Sequence, residues 1–290
     1  MAITASLVKE LRERTGAGMM ECKKVLVETD GDIEAAMDLL RTRGQAKAGK
    51  VADRTAAEGV VLFGTDNGVA AIIEVNSETD FVARDENFLG FANKAVELLL
   101  ANKPADVDAL SALEADGKTL ENLRTDLVAK IGENISVRRF NVFEPKGAVG
   151  AYVHGGRIGA VVDVEGGDEE LARDIAMHIA ASNPVCIDED GVPADDLERE
   201  KKILTEQALN EGKPAEIVEK MIAGRLRKHL AQITLVGQPF VKDPDVTVGK
   251  LLDSKGAKVA SYVRFEVGEG IEKKEENFAE EVAAQVKASS

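Results

Sequence analysis

Ala71-Ile72-Ile73-Glu74-Val75 returns further along the chain as Ala160-Val161-Val162-Asp163-Val164, with the acidic residue in the same place. Each stretch is rich in β-branched residues and closes a β-hairpin. In the first copy, residues 60–63 lead through Thr65-Asp66-Asn67-Gly68 into residues 69–75. In the second, residues 150–154 lead through Gly155-Gly156 into residues 157–164. Asn-Gly and Gly-Gly suit a two-residue turn because both central residues need positive φ. A helix follows each hairpin, 88–100 ahead of Pro104 and 171–181 ahead of Pro184, since a residue before proline avoids the helical region. The strands lie 89 residues apart and the prolines 80, so the first copy holds nine extra residues between strand and helix, near 76–87.

An amphipathic helix over 120–131 and a strand over 135–143 continue the first copy. A looser echo stands near the C-terminus: the strand Tyr262-Val-Arg-Phe-Glu-Val267, then Glu276-Asn277-Phe278 opening a helix to Val286, much as Glu86-Asn87-Phe88 opens the earlier one. Between the second copy and this echo, residues 195–210 and 214–232 read as helices joined at Glu211-Gly212-Lys213. Their apolar stripes, Leu197 and Leu204 against Ile217, Met221 and Leu226, are narrow. Narrow seams and a short turn indicate an antiparallel helical hairpin with a solvated charged face, open to a role in self-association.

Ahead of the repeat, residues 4–43 read as three short helices. Thr4 caps the first, with Ile3, Leu7 and Leu11 on one face and Gly16 as its stop. Met19 and Met20 open the second, and Asp32 caps a third with Ile33, Ala36, Met37 and Leu40 inward. A unit this small is marginal alone and suits a docking module. Met19 and Met20 are either core residues or adaptable contact residues on its turn. The glycines and lysines of 44–50 mark a boundary, and the basic stretch 47–54 reads as a solvated linker. Gly44-Gln-Ala-Lys-Ala-Gly49-Lys50 imitates a phosphate-binding loop, but Val51 stands where a hydroxyl is needed and the segment follows a helix, not a strand. It predicts no bound nucleotide.

The expected fold is therefore α+β. A three-helix docking domain (1–53) precedes a duplicated hairpin-and-helix core (54–143, then 144–187 with 232–270). The helical hairpin (188–231) is inserted in the second copy, and a C-terminal helix module (271–290) closes the chain.

Composition narrows the functional classes. A net charge of −15 with a pI near 4.8 argues against direct nucleic-acid binding, which needs clustered basic residues. No apolar run reaches the roughly 20 residues of a membrane span, and no signal pattern opens the chain, so a cytoplasmic protein without membrane contact is expected. Cys22 and Cys186 are far apart and outside any metal spacing, which predicts free thiols. The three histidines, His154, His178 and His229, join no nucleophile, metal or paired-carboxylate signature. No catalytic residue, metal ligand or cofactor is expected. His178 reads as packed or surface-lying, His229 as solvent-facing and His154, at a hairpin turn, as a partner contact. The strongest functional candidate is the extra loop, Thr79-Asp80-Phe81-Val82. A phenylalanine behind a carboxylate on a connecting loop suits insertion into a partner, although Phe81 could equally fold back onto its own core. A scaffolding protein and, less well supported, an enzyme stay open on this reading.

The run Thr4-Ala-Ser-Leu-Val-Lys-Glu-Leu-Arg-Glu-Arg-Thr-Gly-Ala-Gly-Met-Met20 resembles the opening signature of the elongation factor Ts family, and Glu74-Val-Asn-Ser-Glu-Thr-Asp-Phe-Val-Ala-Arg84 its second. Lys130-Ile-Gly-Glu-Asn134, Ala176-Met-His-Ile-Ala-Ala181, Gly237-Gln-Pro-Phe-Val241 and Arg264-Phe-Glu-Val-Gly-Glu-Gly270 extend the resemblance along the chain in family order. It implies a ubiquitin-associated-like N-terminal domain that docks on elongation factor Tu, a two-part core, a coiled-coil insertion linked to dimerisation and a C-terminal module that touches Tu. It further implies that Asp80 and Phe81, with Thr79 and Val82, disturb the magnesium and phosphate site of Tu. Arg12, Met19, Met20 and Lys23 match docking positions, Ile131 and Gly132 another contact, and His154 a core contact. Arg84 departs from the common lysine but keeps its charge. The implied activity is guanine nucleotide exchange in translation elongation, with Tu as partner and no covalent chemistry.

Overall fold

A computed structural model describes residues 3–210 and 215–272. The N-terminal helices are α1 (Ala5–Thr15), α2 (Met19–Glu28) and α3 (Ile33–Val51). Strands β1 (Glu58–Asp66) and β2 (Val69–Ser77) form the first hairpin, followed by α4 (Glu86–Asn102), α5 (Val107–Ser111), the small pair β3 (Glu114–Ala115) and β4 (Lys118–Thr119), α6 (Leu120–Ile131) and β5 (Ser136–Phe143). Strands β6 (Ala148–His154) and β7 (Ile158–Glu165) form the second hairpin, with α7 (Glu169–Ser182) after it. The helices α8 (Ala194–Asn210) and α9 (Ala215–Ile233) pack together. Then come β8 (Pro239–Phe240), β9 (Asp243–Thr247), α10 (Val248–Ser254) and β10 (Lys258–Glu266). The turn expected at Glu211-Gly212-Lys213 and the expected C-terminal helix from Glu276 lie outside the described residues.

Local chemistry sets most element ends. The side-chain oxygens of Thr4, Asp32, Asp85, Asp106, Thr119, Asp168 and Thr247 each accept from a backbone N–H in the first turn of a helix. Gly16 and Gly132 end α1 and α6 in the left-handed conformation. Asn67 and Gly68, at φ 46° and 77°, make the first hairpin turn with the positive values that its dipeptide demands.

The sheets repeat a plan, β1-β2-β5 in one and β10-β7-β6 in the other, each a hairpin plus a third strand beside the hairpin's second. The strand expected at 262–267, a third echo lying within the stretch 232–270 assigned to the second copy, belongs to β10, the third strand of that copy's sheet: Tyr262 pairs with Val162 and Arg264 with Ala160. Pairing between strands distant in sequence, which periodicity does not report, assigns it there. The described residues fall into two compact units, one from 3–60, 74–140 and 267–272, the other from 61–73 and 141–266.

In the first unit, Leu11, Cys22, Val25, Leu26 and Ala36 form the core of the three N-terminal helices. The boundary expected at 44–50 is helical, as is the first part, 47–51, of the linker expected at 47–54. Helix α3 runs through it and packs on α6, with Gly44 and Ala48 buried. A Cβ at Gly44 would lie only 3.4 Å from that of Ala129, so the glycine lets two helices approach closely. That packing offsets the roughly 1 kcal/mol by which glycine disfavours a helix interior. The stretch that imitates a phosphate loop is thus helical along its length.

The deepest charge of this unit is Glu74, whose side chain is fully buried on β2. It accepts from Arg138 Nη1 at 3.0 Å, Arg139 Nε at 2.6 Å, the Gly268 N–H at 2.8 Å and Asn76 Nδ2 at 3.2 Å. Arg139 also reaches Glu269 at 3.0 Å, and Arg138 donates to the Glu269 carbonyl. The cluster fastens residues 268–269 to β2 and β5.

In the second unit, α7 covers β6 and β7 so closely that a Cβ at Gly150 would meet the Ala172 backbone at 2.0 Å. Ala160, Val162, Ile175, Ile179, Leu235, Phe240 and Val248 are among its buried core. Asp163, the repeat partner of Glu74, is also buried, but accepts from the Lys146 and Gly147 N–H groups at 2.9 and 2.8 Å. Within this unit the chain enters and leaves the α8–α9 pair at adjacent points: Val185 N–H donates to the Ile233 carbonyl, and Leu235 and Val236 N–H donate to the Cys186 and Ile187 carbonyls.

Burial alone would raise the Glu74 pKa, but the Gly268 N–H and the two guanidiniums outweigh it and hold the group below its ordinary 4.5. A depressed carboxylate stabilises the fold above its unfolded-state pKa, and the contribution fades as pH falls through the folded value. Glu74→Gln is therefore expected to cost about 1.5–3 kcal/mol at neutral pH, the scale of hydrogen bonds to a charged group. In urea titrations, the gap between parent and variant should narrow as the pH drops below 4.5.

Candidate partner-binding site

The extra loop of the first copy begins as β2 ends. The Ser77 hydroxyl donates to the Thr79 carbonyl at 2.9 Å, and the chain turns. Val82 and Ala83 are buried and open a short 3-10 turn, Val82–Arg84, whose end runs directly into the Asp85 cap of α4. Asn87, with the N–H groups of the first helical turn, holds the Asp85 carboxyl below its ordinary range. Between the buried Val82 and the tied Thr79, the Phe81 ring projects outward with 82% of its surface exposed. Phe81 does not fold back onto its own core. Asp80 pairs with Arg84 at 3.1 Å, one turn away. Both side chains are well exposed, and such a pair contributes little to stability.

The loop is held from behind by the segment after α6. Glu133 accepts the Thr79 N–H at 3.0 Å with one oxygen and the Thr79 hydroxyl at 2.7 Å with the other. In return, Glu78 accepts the Asn134 N–H at 2.6 Å. The Asn134 side chain donates to the carbonyls of Ala52 at 3.0 Å and Arg54 at 2.8 Å, just beyond α3. These bonds bring together two stretches that sequence reading placed in the site separately: Thr79–Val82 and the pair Ile131 and Gly132. Ile131 is half-buried and Gly132 exposed.

Sequence reading missed Glu78, Glu133 and Asn134. All three stand inside the stretches that carry the family resemblance, and Glu133 and Asn134 follow directly on Gly132, where the chain leaves its helix.

Arg12, Met19, Met20 and Lys23 lie on α1 and α2, and all four are exposed. Met19 is 59% and Met20 75% exposed, so neither is a core methionine. The small residues Gly16-Ala17-Gly18 bring them to the start of α2, while Cys22 turns inward behind them. In the second unit, His154 is exposed at the end of β6, with its Nδ1 3.2 Å from the Tyr152 hydroxyl and the two rings stacked at 6.2 Å.

Of the other histidines, His178 serves structure. His178 is fully buried. Its Nδ1 accepts the Val241 N–H at 3.2 Å, which places the proton on Nε2 to donate to Gln238 Oε1 at 2.9 Å. Burial lowers its pKa, so it stays neutral. His229 is half-exposed, 3.8 Å from Glu200. Both cysteines are free thiols. Among the described residues, no group of three or more His, Cys, Asp or Glu is arranged to hold a metal, and no helix is long and apolar enough to cross a membrane.

Comparison with known proteins is consistent along the whole chain. The family model for elongation factor Ts matches residues 78–269. Elongation factor Ts of Thioalkalivibrio sulfidiphilus is 62% identical over 293 residues, covering all of both chains. That of Alkalilimnicola ehrlichii is 59% identical over 292 residues, again covering both. That of Legionella pneumophila is 55% identical, covering 98% of this chain and 99% of the relative. These matches, which run from end to end, mean that the chain belongs to the elongation factor Ts family, the nucleotide exchange factors of elongation factor Tu, and is not an enzyme.

Proposed function

We propose that the chain releases GDP from elongation factor Tu by pressing the Phe81 loop against the partner's magnesium and phosphate site. The observation that carries this reading is the Phe81 ring, held in water by a loop that is anchored on both sides. A free aromatic ring gains about 1.5–3 kcal/mol on burial, and here that gain is available only in a complex. Phe81 acts as the wedge. Asp80 competes with the groups that organise the metal, and Thr79 and Val82 set the loop. Arg12, Met19, Met20 and Lys23 dock the three-helix domain, residues 1–53, on the nucleotide-binding domain of Tu. Ile131 and Gly132 extend the wedge surface, and His154 adds a contact from the second unit.

No bond is made or broken in this mechanism. The coupling is reciprocal: a partner that weakens GDP binding is itself weakened by GDP to the same factor. Exchange therefore runs through a transient ternary complex, which GTP resolves as the factor leaves. The site of action is the cytoplasm, where translation elongates. The helical hairpin, residues 188–231, supports self-association rather than exchange, a reading supported by its adjacent points of exit and return.

Two measurements test the reading. Met19→Ala with Met20→Ala should melt within about 0.5 kcal/mol of the parent, as exposed changes do, while affinity for Tu by calorimetry falls at least severalfold. Unchanged affinity removes α2 from the interface. Phe81→Ala should also cost the free protein under about 0.5 kcal/mol, where a core phenylalanine would cost about 3–5 kcal/mol. In stopped-flow measurements at saturating factor, both Phe81→Ala and Asp80→Ala should slow GDP release from Tu. The Asp80→Ala effect should vary with free magnesium, and the two changes should not add, because neighbours at one site couple. Normal maximal rates in both folded variants would remove the loop from the mechanism.

A further inference from the structure

The Phe81 loop is too short to hold its own shape. The bonds from Thr79 to the residues beyond the ring are long, Val82 N–H to the Thr79 hydroxyl at 3.4 Å and Ala83 N–H to the Thr79 carbonyl at 3.4 Å, while Ser77 holds only the Thr79 carbonyl, at 2.9 Å. The bonds that hold the Thr79 N–H and hydroxyl at short distance come from outside the loop. Glu133 binds Thr79 with both carboxylate oxygens, at 3.0 and 2.7 Å, across 54 positions of sequence. A two-oxygen clamp on a backbone N–H and its own side-chain hydroxyl fixes both the peptide plane and the Thr79 rotamer. That fixes the chain at the start of the turn that carries residue 81, two positions on. Charged acceptors make such bonds shorter and stronger than neutral ones.

The geometry points to Glu133 as a positioning residue for exchange, a group that preorganises the Phe81 wedge without itself meeting the nucleotide site. This rests on the reading that Phe81 acts on the partner. Glu133 sits in the segment directly after Gly132, and Asn134 beside it holds Ala52 and Arg54 at the exit of α3. The clamp is therefore built on the same few residues that receive the end of the N-terminal helices. A partner docked on α1 and α2 thus meets a wedge whose aim is already set. Free of the clamp, the loop would sample many orientations, and each productive encounter would have to select one. The factor that should change is the maximal rate of release, because a wedge displaced by about 1 Å can lose about a hundredfold in rate. The concentration giving half-maximal release, set mainly by the docking surface, should move little.

The test uses the full chain with GDP-loaded Tu and fluorescent GDP. Glu133→Ala is expected to lower the maximal release rate about ten- to a hundredfold, with the half-saturating concentration held within about twofold. Thr79→Val keeps the N–H and removes the hydroxyl, so it should give a smaller fall, which Thr79→Ser restores. In a Phe81→Ala background, Glu133→Ala should slow release no further, since it acts only through the ring. Amide exchange at Thr79 should quicken in Glu133→Ala. If Glu133→Ala does not fold, the Thr79 pair carries the test alone. A normal maximal rate in Glu133→Ala, or in Thr79→Val, while Phe81→Ala is slow, would overturn the clamp and leave the wedge standing. Additive slowing in the double variant would likewise overturn it. Normal release by Phe81→Ala would bring down the wedge and the clamp together.

Discussion

A phenylalanine ring in water is under constant pull toward the nearest apolar surface, and much of the first unit can be understood as resisting that pull at Phe81. Val82 and Ala83 are buried immediately after it, so the chain has no slack on that side. Thr79 is gripped by Glu133 on the other. The next residues are committed to the Asp85 cap of α4, and the residues opposite to the Gly132 cap of α6. Two helix ends, both satisfied by local bonds, thus form the fixed frame across which the loop is stretched.

The duplication supplies this frame and shows how two copies diverge. Glu74 and Asp163 occupy the same place in the repeat, and both are buried. A buried carboxylate must find donors or lose its charge. Glu74, one methylene longer, reaches two arginines of β5 and the Gly268 N–H. Asp163 stops at the two N–H groups of the turn before β6. The first copy thereby fastens a distant piece of chain and the second only its own entry loop. The first copy also carries the inserted loop.

Helix α3 alters the picture of the N-terminal helices as a module on a tether. Its packing on α6 through Gly44 and the bonds from Asn134 to Ala52 and Arg54 make the connection a structural joint. Lys47 pairs with Glu21 at 2.9 Å, and Arg43 with Glu28, so the same helix is also tied to α2. Lys47, read as part of a solvated linker, is instead paired across to a neighbouring helix.

What the sequence by itself determined is what neighbouring residues control. Thr4, Asp32 and Thr119 cap helices because their oxygens reach the next turn, and Asn67-Gly68 turns a hairpin because positive φ is accessible there. The inserted loop was visible as a mismatch in repeat lengths, and its candidate residues could be named. What only the tertiary structure decided is everything that depends on atoms far apart in the chain. The continuation of α3 past Gly44 needed Ala129 opposite it. The last strand's register needed β7, and the burial of Glu74 needed Arg138, Arg139 and Gly268. Phe81 was balanced in sequence between core and surface, since an aromatic residue suits both. Its exposure was settled by Val82 taking the buried position and by a carboxylate 54 residues away taking hold of Thr79. Local bonds set where elements begin and end, but side chains meet across the fold only once the backbone has brought them within hydrogen-bond reach.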